Sequence, residues 1–360
     1  MGIHDFIMAM LSLMVAPLVA RAEWLYRRMP NLTPQQGERP LPAISIIVPA
    51  RNEAVNLHRL LPSLQAQAYN GPMELWVVDD NSTDHTAVVA HYHGAQVINL
   101  TELPSGWLGK PNAVHQGVQH SSGEWLLFTD ADMAFEPTAV ASAVQYALDH
   151  NLDGLSLFPR QIPLGPIDRV ALMVGFAGLF AGLRRDNHTL NGQFVLLRRD
   201  VYEASGGMTA VKQEMLEDLA FGVHLHSQGY QTPMMRGDEV AHVHMYESLP
   251  HMWRGMTRLG SGSLKYSGFG AVITALFIAG TLMPLLAPLF VATRLVHKRW
   301  LALTWLTAVP GFITWGRRFG GAGWALLAPF GALIVQMAAL WGFAARYLGS
   351  GILWKNRSVK

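Results

Sequence analysis

Two carboxylates separated by one residue, Asp130 and Asp132, close the run FTDADM at 128–133, directly after the apolar stretch WLLFT at 125–129. Carboxylates this close repel one another unless a cation sits beside them, and a divalent ion held this way is suited to gripping a phosphate. Asp-Ala-Asp is equally good turn chemistry, and alone it carries no more than that. Other polar groups recur along the chain: PARNE at 49–53, DDNSTD at 79–84, Lys110 and Asn112 within PSGWLGKPNAVHQG at 104–117, and Glu214, Glu217 and Asp218 within EMLED at 214–218. A lysine beside backbone amides at a helix start suits a diphosphate, while a helix-capping loop with a solvated lysine is the plainer reading. A carboxylate at the mouth of a nucleotide cleft suits acid–base chemistry; acidic residues in a first helical turn are otherwise dipole-favourable surface charge. His224, His226, His242 and His244 invite a metal reading, but His224 and His226 lie on a helical pattern that separates them, and the ligand set for zinc is incomplete. None of the four is assigned to a metal.

The elements that must position these groups alternate in type. AISIIV at 43–48, MELWVV at 73–78 and QVINL at 96–100 read as strands, and VNLHRLLPSLQAQ at 55–67 and the stretch running to residue 90 as helices. Such alternation predicts an α/β fold with a mainly parallel sheet and right-handed crossovers. Ligands then bind beyond the carboxyl ends of the strands, where PARNE, DDNSTD and TDADM all fall. NGQFVLLRRDVYEASGG at 191–207 reads as a strand and helix facing the same cleft. In the segment 214–230, Met215, Leu216, Leu219, Ala220 and Val223 recur at helical spacing, leaving the acidic residues near the helix start. VAHVHM at 240–245 reads as a strand.

Half of the 360 residues are hydrophobic and only 14% are charged, with a mean hydropathy of +0.19. The apolar excess lies before residue 21 and after residue 269, so a globular domain is expected to be held on a membrane. The chain has no cysteine, which excludes disulfides, thiolate metal sites and a cysteine nucleophile. A net charge of +2 gives no reason to expect nucleic acid. Residues 6–20 form an apolar run followed by Arg21, Arg27 and Arg28, the pattern of an uncleaved anchor with the next domain in the cytoplasm; an interfacial or tilted helix is the alternative. Residues 271–293 and 322–345 are long enough to span, whereas 300–316 is marginal and interrupted by Pro310 and Gly311. Simple alternation would put Arg294, His297, Lys298 and Arg299 outside, together with the tail bearing Arg346, Lys355, Arg357 and Lys360, against the positive-inside tendency. A re-entrant hairpin at 271–293, helped by Pro284 and Pro288, would repair both placements.

Taken in order, SIIVPARNE at 45–53, VVDDNSTDHT at 77–86, LPSGWLGKPNAVHQG at 103–117, LLFTDADM at 126–133, NGQFVLLRRDVYEASGG at 191–207 and EMLEDLAFG at 214–222 resemble the family 2 glycosyltransferases, inverting enzymes of the GT-A fold that use nucleotide-diphospho-sugars. Within that family, LPSGWLGK, QFVLLRRDVYEA and MYESLPHMWRGMTR are similar to stretches of membrane-bound glycosyltransferases from carotenoid and hopanoid gene clusters. The resemblance implies that Pro49, Ala50 and Glu53 line a uridine pocket and that Asp80 meets the uracil edge. It implies Asp130 near the ribose and diphosphate, Asp132 on a divalent metal, and Asp218 as the catalytic base. Processive synthases of the family carry Gln-x-x-Arg-Trp where this chain has HMWRG at 251–255, which disfavours a polymerase. Trp253, Arg254 and Arg258 then form the lip of an acceptor site, with an arginine reaching the diphosphate, or else belong to an interfacial amphipathic helix meeting lipid headgroups.

The expected organisation is a membrane anchor over residues 1–28, a GT-A domain (Rossmann-like, mainly parallel) over 40–265, and membrane helices with a basic tail over 266–360. The expected activity is transfer of a single sugar, glucose from UDP-glucose in this reading, to a membrane lipid such as a carotenoid or hopanoid at the cytoplasmic face of the inner membrane. Mg2+ or Mn2+ held by Asp132, with Lys110 assisting, would offset charge on the leaving diphosphate. Transfer to a polyprenyl phosphate, with Arg254, Arg258 and Lys265 as the basic pocket, is the enzymatic alternative. A non-catalytic membrane scaffold is the other, and the presence of Asp80, Asp130, Asp132 and Asp218 weighs against it.

Overall fold

The computed structural model describes residues 2–35, 39–183, 189–262, 269–347, 352–354 and 357–359. Lys265, Lys355, Lys360 and the expected boundary at 265–266 lie outside the described residues. The chain divides into two compact units, one of Met29–Ile162 with Asp186–Met245, the other of Met1–Arg28 with Pro163–Arg185 and Tyr246–Lys360.

The first unit is an α/β layer structure. In chain order it contains β1 (Ile44–Ala50), α2 (Ala54–Gln65), β2 (Met73–Asp80), α3 (Thr86–Tyr92), β3 (Gln96–Leu100), α4 (Gly109–His120), β4 (Trp125–Thr129), β5 (Met133–Phe135) and α5 (Ala139–Asp149). β6 (Gly154–Gln161), β7 (Phe194–Arg198), α7 (Arg199–Ala204), α8 (Glu217–Ser227) and β8 (Met234–Val243) complete it, while α1 (Ile3–Arg28) and α6 (Pro166–Gly182) belong to the second unit. The eight strands form one sheet in the order β3-β2-β1-β4-β7-β6-β8-β5. β1 pairs parallel with β2 and β4, β2 with β3, and β6 with β8, whereas β7 runs antiparallel to both β4 and β6.

The local reasons are visible in the side chains. β1 is apolar on both faces because helices cover both, as a central parallel strand requires. α2 sets Leu57, Leu60, Leu61 and Leu64 on one stripe, all fully buried, each contributing about 1.5–3 kcal/mol of burial. α4 lies so close to the sheet that a Cβ on Gly117 would sit 2.4 Å from Ile47 Cγ2 and 3.2 Å from Val78 Cγ2.

The direction of β7 corrects one expectation. Phe194 pairs with Thr129 and Arg198 with Trp125, so β7 begins, rather than ends, beside the carboxyl end of β4. The turn 191–193 faces that edge, and α7 leaves from the opposite one. β8 is also longer than VAHVHM, because its first half pairs with β6 and only its end with β5.

The second unit is helical: α1 (Ile3–Arg28), α6 (Pro166–Gly182), α9 (Leu249–Gly262), α10 (Phe269–Ala292), α11 (Trp300–Ala308), α12 (Ile313–Arg318) and α13 (Ala328–Tyr347). Three stretches, Ile3–Arg28, Phe269–Ala292 and Ala322–Ala345, are long and apolar enough to cross a membrane. α1 exceeds the apolar run at 6–20 because the helix continues through its flanking charges. α10 is one continuous helix through Pro284 and Pro288, which overturns the hairpin reading; prolines are tolerated in apolar helices where neighbours and local adjustments satisfy the freed carbonyls.

Contacts within this unit fix the register of its helices. Asp5, at the start of α1, accepts hydrogen bonds from the His297 amide at 3.2 Å and Trp300 Nε1 at 2.6 Å. Met8 packs with Met283, Ala287, Val296 and Trp300, and Gly280 approaches the Leu11 carbonyl and Val15. Near the other end of α1, Glu23 takes both Nη atoms of Arg318, whose guanidinium lies 4.0 Å from the Tyr26 ring and 4.9 Å from that of Trp315. α10 therefore runs antiparallel to α1, and residues 300–318 return alongside it, broken only by a 3-10 turn at Pro310–Phe312. Asp5 to Glu23 is about 27 Å of helix at 1.5 Å per residue, and residues 300–318 run along that length of α1.

Candidate active site

The parallel strands β1, β2 and β4 deliver three loops to one edge of the sheet. The first two are laced together: the Asn52 amide donates to Ser82 Oγ at 2.9 Å, the Thr83 amide to Asn52 Oδ1 at 2.8 Å, and the Glu53 amide to Thr86 Oγ1 at 2.8 Å. Asn52 and Asn81 adopt positive φ, 54° and 56°, which asparagine tolerates better than most residues and which turns each loop sharply at its strand end. Arg51 donates to the Asp80 carbonyl. Pro49 pairs with Val78 and Ala50 with Asp79, next to the buried Asp80, while Glu53 follows on the loop tied to Thr86.

The third loop begins at Asp130. Its Oδ1 lies 2.7 Å from Lys110 Nζ, and the same ammonium lies 2.8 Å from Glu217 Oε1. Lys110 comes from the first turn of α4 and Glu217 from the first turn of α8, so two helix starts and one strand end meet at a single cation. Burial opposes the charge on Lys110, but Asp130, Glu217 and Asp218 together outweigh it and hold the ammonium well above the usual lysine range.

Asp218 follows Glu217 and is fastened by backbone. The Gly192 amide donates to its Oδ2 at 2.8 Å and the Leu219 amide to Oδ1 at 2.9 Å. Burial pushes its carboxyl above the usual aspartate range and Glu217 adds to the rise, while Lys110 and the two amides pull the other way. The turn carrying Gly192 is itself braced: Asn191 Nδ2 donates to the Leu157 carbonyl at 3.0 Å, and Thr129 Oγ1 to the Gln193 carbonyl at 2.9 Å.

Asp132 sits between Ala131 and β5, half-buried, with its carbonyl accepting from the His244 amide at 2.9 Å. The turn is thereby tied to the end of β8. Burial, then Arg59 and His242, lower the His244 imidazole below the usual histidine range, leaving it neutral near pH 7. His242 instead meets Glu136 Oε1 at 2.9 Å, and His224 meets the Ser205 carbonyl at 2.8 Å. Among the described residues no three His, Asp or Glu side chains converge as a ready-made metal cage. Hard carboxylate oxygens on a short turn fit a hydrated Mg2+ or Mn2+ whose shell is completed by phosphate oxygens. Arg254 and Arg258 belong to the helical unit, on α9, which buries Met252 and Thr257 and exposes Arg254.

Residues 45–217 match the sequence profile of Glycosyl transferase family 2. The 4,4'-diaponeurosporenoate glycosyltransferase of Staphylococcus aureus strain USA300 is 30% identical over 295 residues, 77% of this chain and 77% of that protein. The chain belongs to glycosyl transferase family 2. The same-named protein of Staphylococcus aureus strain MRSA252 is 32% identical over 251 residues, 65% of this chain and 66% of that one. Mannosyltransferase PcManGT from Pyrobaculum calidifontis, solved in complex with GDP-Man and Mn2+, superimposes with a TM-score of 0.58 at 18% identity, covering 94% of this chain and 98% of that one. The sheet of this family 2 member is accordingly the Rossmann-like GT-A fold, with apolar helices at both termini.

Two groups at the site carry little signal in the sequence. Glu217 reads there as one of several surface acids, although its place one residue before Asp218 puts it in the same helical turn. Gly192 has no signal of its own; only the reversed direction of β7 brings its amide to the edge.

Proposed function

We propose that this family 2 glycosyltransferase moves a single sugar from a UDP-sugar, glucose in our reading, to a carotenoid or related lipid acceptor in the membrane, with inversion and with a divalent metal. The observation that carries the reading is the convergence of Asp130, Lys110, Glu217 and Asp218 at the strand edge, beside the turn that holds Asp132. The relatives named for diaponeurosporenoate support a carotenoid acceptor. Pro49, Ala50, Glu53 and Asp80 would seat the uridine, Asp130 the ribose and diphosphate, and Asp132 the metal. A bound Mg2+ or Mn2+ offsets the negative charge that grows on the leaving diphosphate. Lys110 adds a second positive charge there. Asp218, held by two amides, receives the proton of an acceptor hydroxyl attacking from the opposite face of the sugar.

The deciding experiment incubates the purified full chain with UDP-glucose, Mn2+ and a carotenoid acid or alcohol, and follows products by mass spectrometry. A glucosylated pigment is expected. UDP release with no lipid product across pigments and hopanoids, but with a polyprenyl phosphate accepting the sugar, would replace the acceptor by the phosphate; no UDP release above background would favour the scaffold.

The helical register sets Arg21, Arg27 and Arg28 toward the opposite end of α1 from the loop carrying Arg294, His297, Lys298 and Arg299; in our reading the arginine end faces the cytoplasm together with residue 29 onward, as arginines that follow an uncleaved anchor favour. Because the chain has no native cysteine, single cysteines report cleanly. A cysteine at 298 is expected to react with a membrane-impermeant maleimide from outside intact cells, and one at 28 only after permeabilisation. The reverse pattern would overturn the orientation.

A further inference from the structure

We propose that Glu217 and Lys110 are positioning residues for Asp218: a buried carboxylate anchors an ammonium between the donor-side Asp130 and the base, and the two opposite charges jointly set when the base can accept a proton. This rests on the assignment of Asp218 as the base.

The three partners of the cluster differ in exposure. The Glu217 side chain is 9% exposed, against 33% for Lys110 and 30% for Asp130. A lysine stem has four rotatable carbons and does not hold its head group unaided. The buried partner therefore serves as the anchor, and the open one faces the cleft. A carboxylate buried as deeply as that of Glu217 is costly without a counter-charge, and Lys110 supplies that charge at 2.8 Å.

The coupling to Asp218 is steric as well as electrical. A Cβ on Gly192 would lie 3.0 Å from both Lys110 Nζ and Asp218 Oδ2, so the ammonium and the carboxylate flank a gap that only glycine leaves open. The charged groups facing Asp218 are Glu217 from its own helix and Lys110 from α4; the turn before β7 contributes the Gly192 amide. Glu217 raises the carboxyl and Lys110 lowers it, whereas burial raises it independently of both. Removing either charge must then move the protonation of Asp218 in opposite directions. A purely structural ion pair predicts no such opposition.

The test uses the full-length protein in detergent, as wild type, Glu217→Gln and Lys110→Met. Protonated Asp218 is read directly, without substrate, from the pH dependence of its labelling by dicyclohexylcarbodiimide, quantified on the peptide containing residue 218. In parallel, the acid limb of UDP release from UDP-glucose with Mn2+ is recorded. Glu217→Gln is expected to move both the labelling midpoint and the acid limb to lower pH, and Lys110→Met to move both to higher pH. Labelling midpoints that stay put, or move in the same direction, overturn the proposal even if UDP release is robust. Opposed midpoints in a protein that releases no UDP would uphold the positioning pair and count against the donor reading instead. Should Lys110→Met fail to fold, Lys110→Gln gives the same arm, and Glu217→Gln stands alone on its predicted direction.

Discussion

Asp218→Asn is expected to lower kcat on a hydroxyl-bearing acceptor by about 10²–10⁴-fold, the span usual for loss of a general base, with little change in KM for the donor. Asparagine is nearly isosteric, so the turn at Gly192 and the start of α8 should persist while the proton acceptor disappears. On a carboxylate acceptor, which arrives ionised, the loss should shrink to less than about tenfold, because no proton must leave during attack. Comparing a carotenoid acid with the corresponding alcohol in one assay separates the two cases. Near-normal rates on both acceptors would sink the assignment of the base.

The same substitution makes a stability prediction of definite sign. The Asp218 carboxyl is raised in the folded protein by burial and by Glu217, so the fold prefers it protonated. That preference is fully present below the unfolded value of about 3.9 and is lost as pH rises through the folded value. At pH 7, where the unfolded chain ionises this group freely, the raised carboxyl costs the fold stability, and Asn removes that cost. Tm should therefore rise at pH 7, by about 2–4 °C for each ~1 kcal/mol relieved, and rise less near pH 4.

The second large effect is expected at Asp132. Asp132→Asn should abolish stimulation of UDP release by Mn2+, a loss of about 10³-fold, in line with removing one electrostatic stabiliser of a developing anion. Calorimetry should show weakened Mn2+ binding in the presence of UDP, independently of turnover. Asp130→Asn should behave differently. Its carboxylate partners Lys110 at 2.7 Å, so the variant should chiefly weaken UDP binding while leaving the response to Mn2+ in place. A fully preserved metal response in Asp132→Asn, with loss in Asp130→Asn, would exchange the two roles.

Much of the α/β unit was legible because its signals are local. Apolar runs such as QVINL and WLLFT became β3 and β4 with unchanged limits, since a short apolar run bounded by turn residues has few alternatives. The order PARNE, DDNSTD, TDADM located the site edge because parallel strands end on the same side. What escaped depended on partners distant in sequence. Nothing in NGQFVLLRR states whether its strand runs with or against WLLFT, yet that direction decides whether Gly192 or the arginines meet the site. The length of β8 depended on pairing with both β6 and β5, and the continuity of α10 on neighbours that tolerate its prolines. Nor does hydropathy show that Trp300, at the start of 300–318, meets Asp5 near the other end of the chain.

The chain enters the helical unit at both termini and once more in the middle, at 163–185. Trimming the ends for expression in water would leave α6 behind, with Phe180, Val174 and Met173 stripped of their neighbours. A water-soluble catalytic fragment needs that internal helix excised as well and residues 162 and 186 rejoined by a short polar linker. Isolating the α/β unit therefore means removing three segments of chain rather than two.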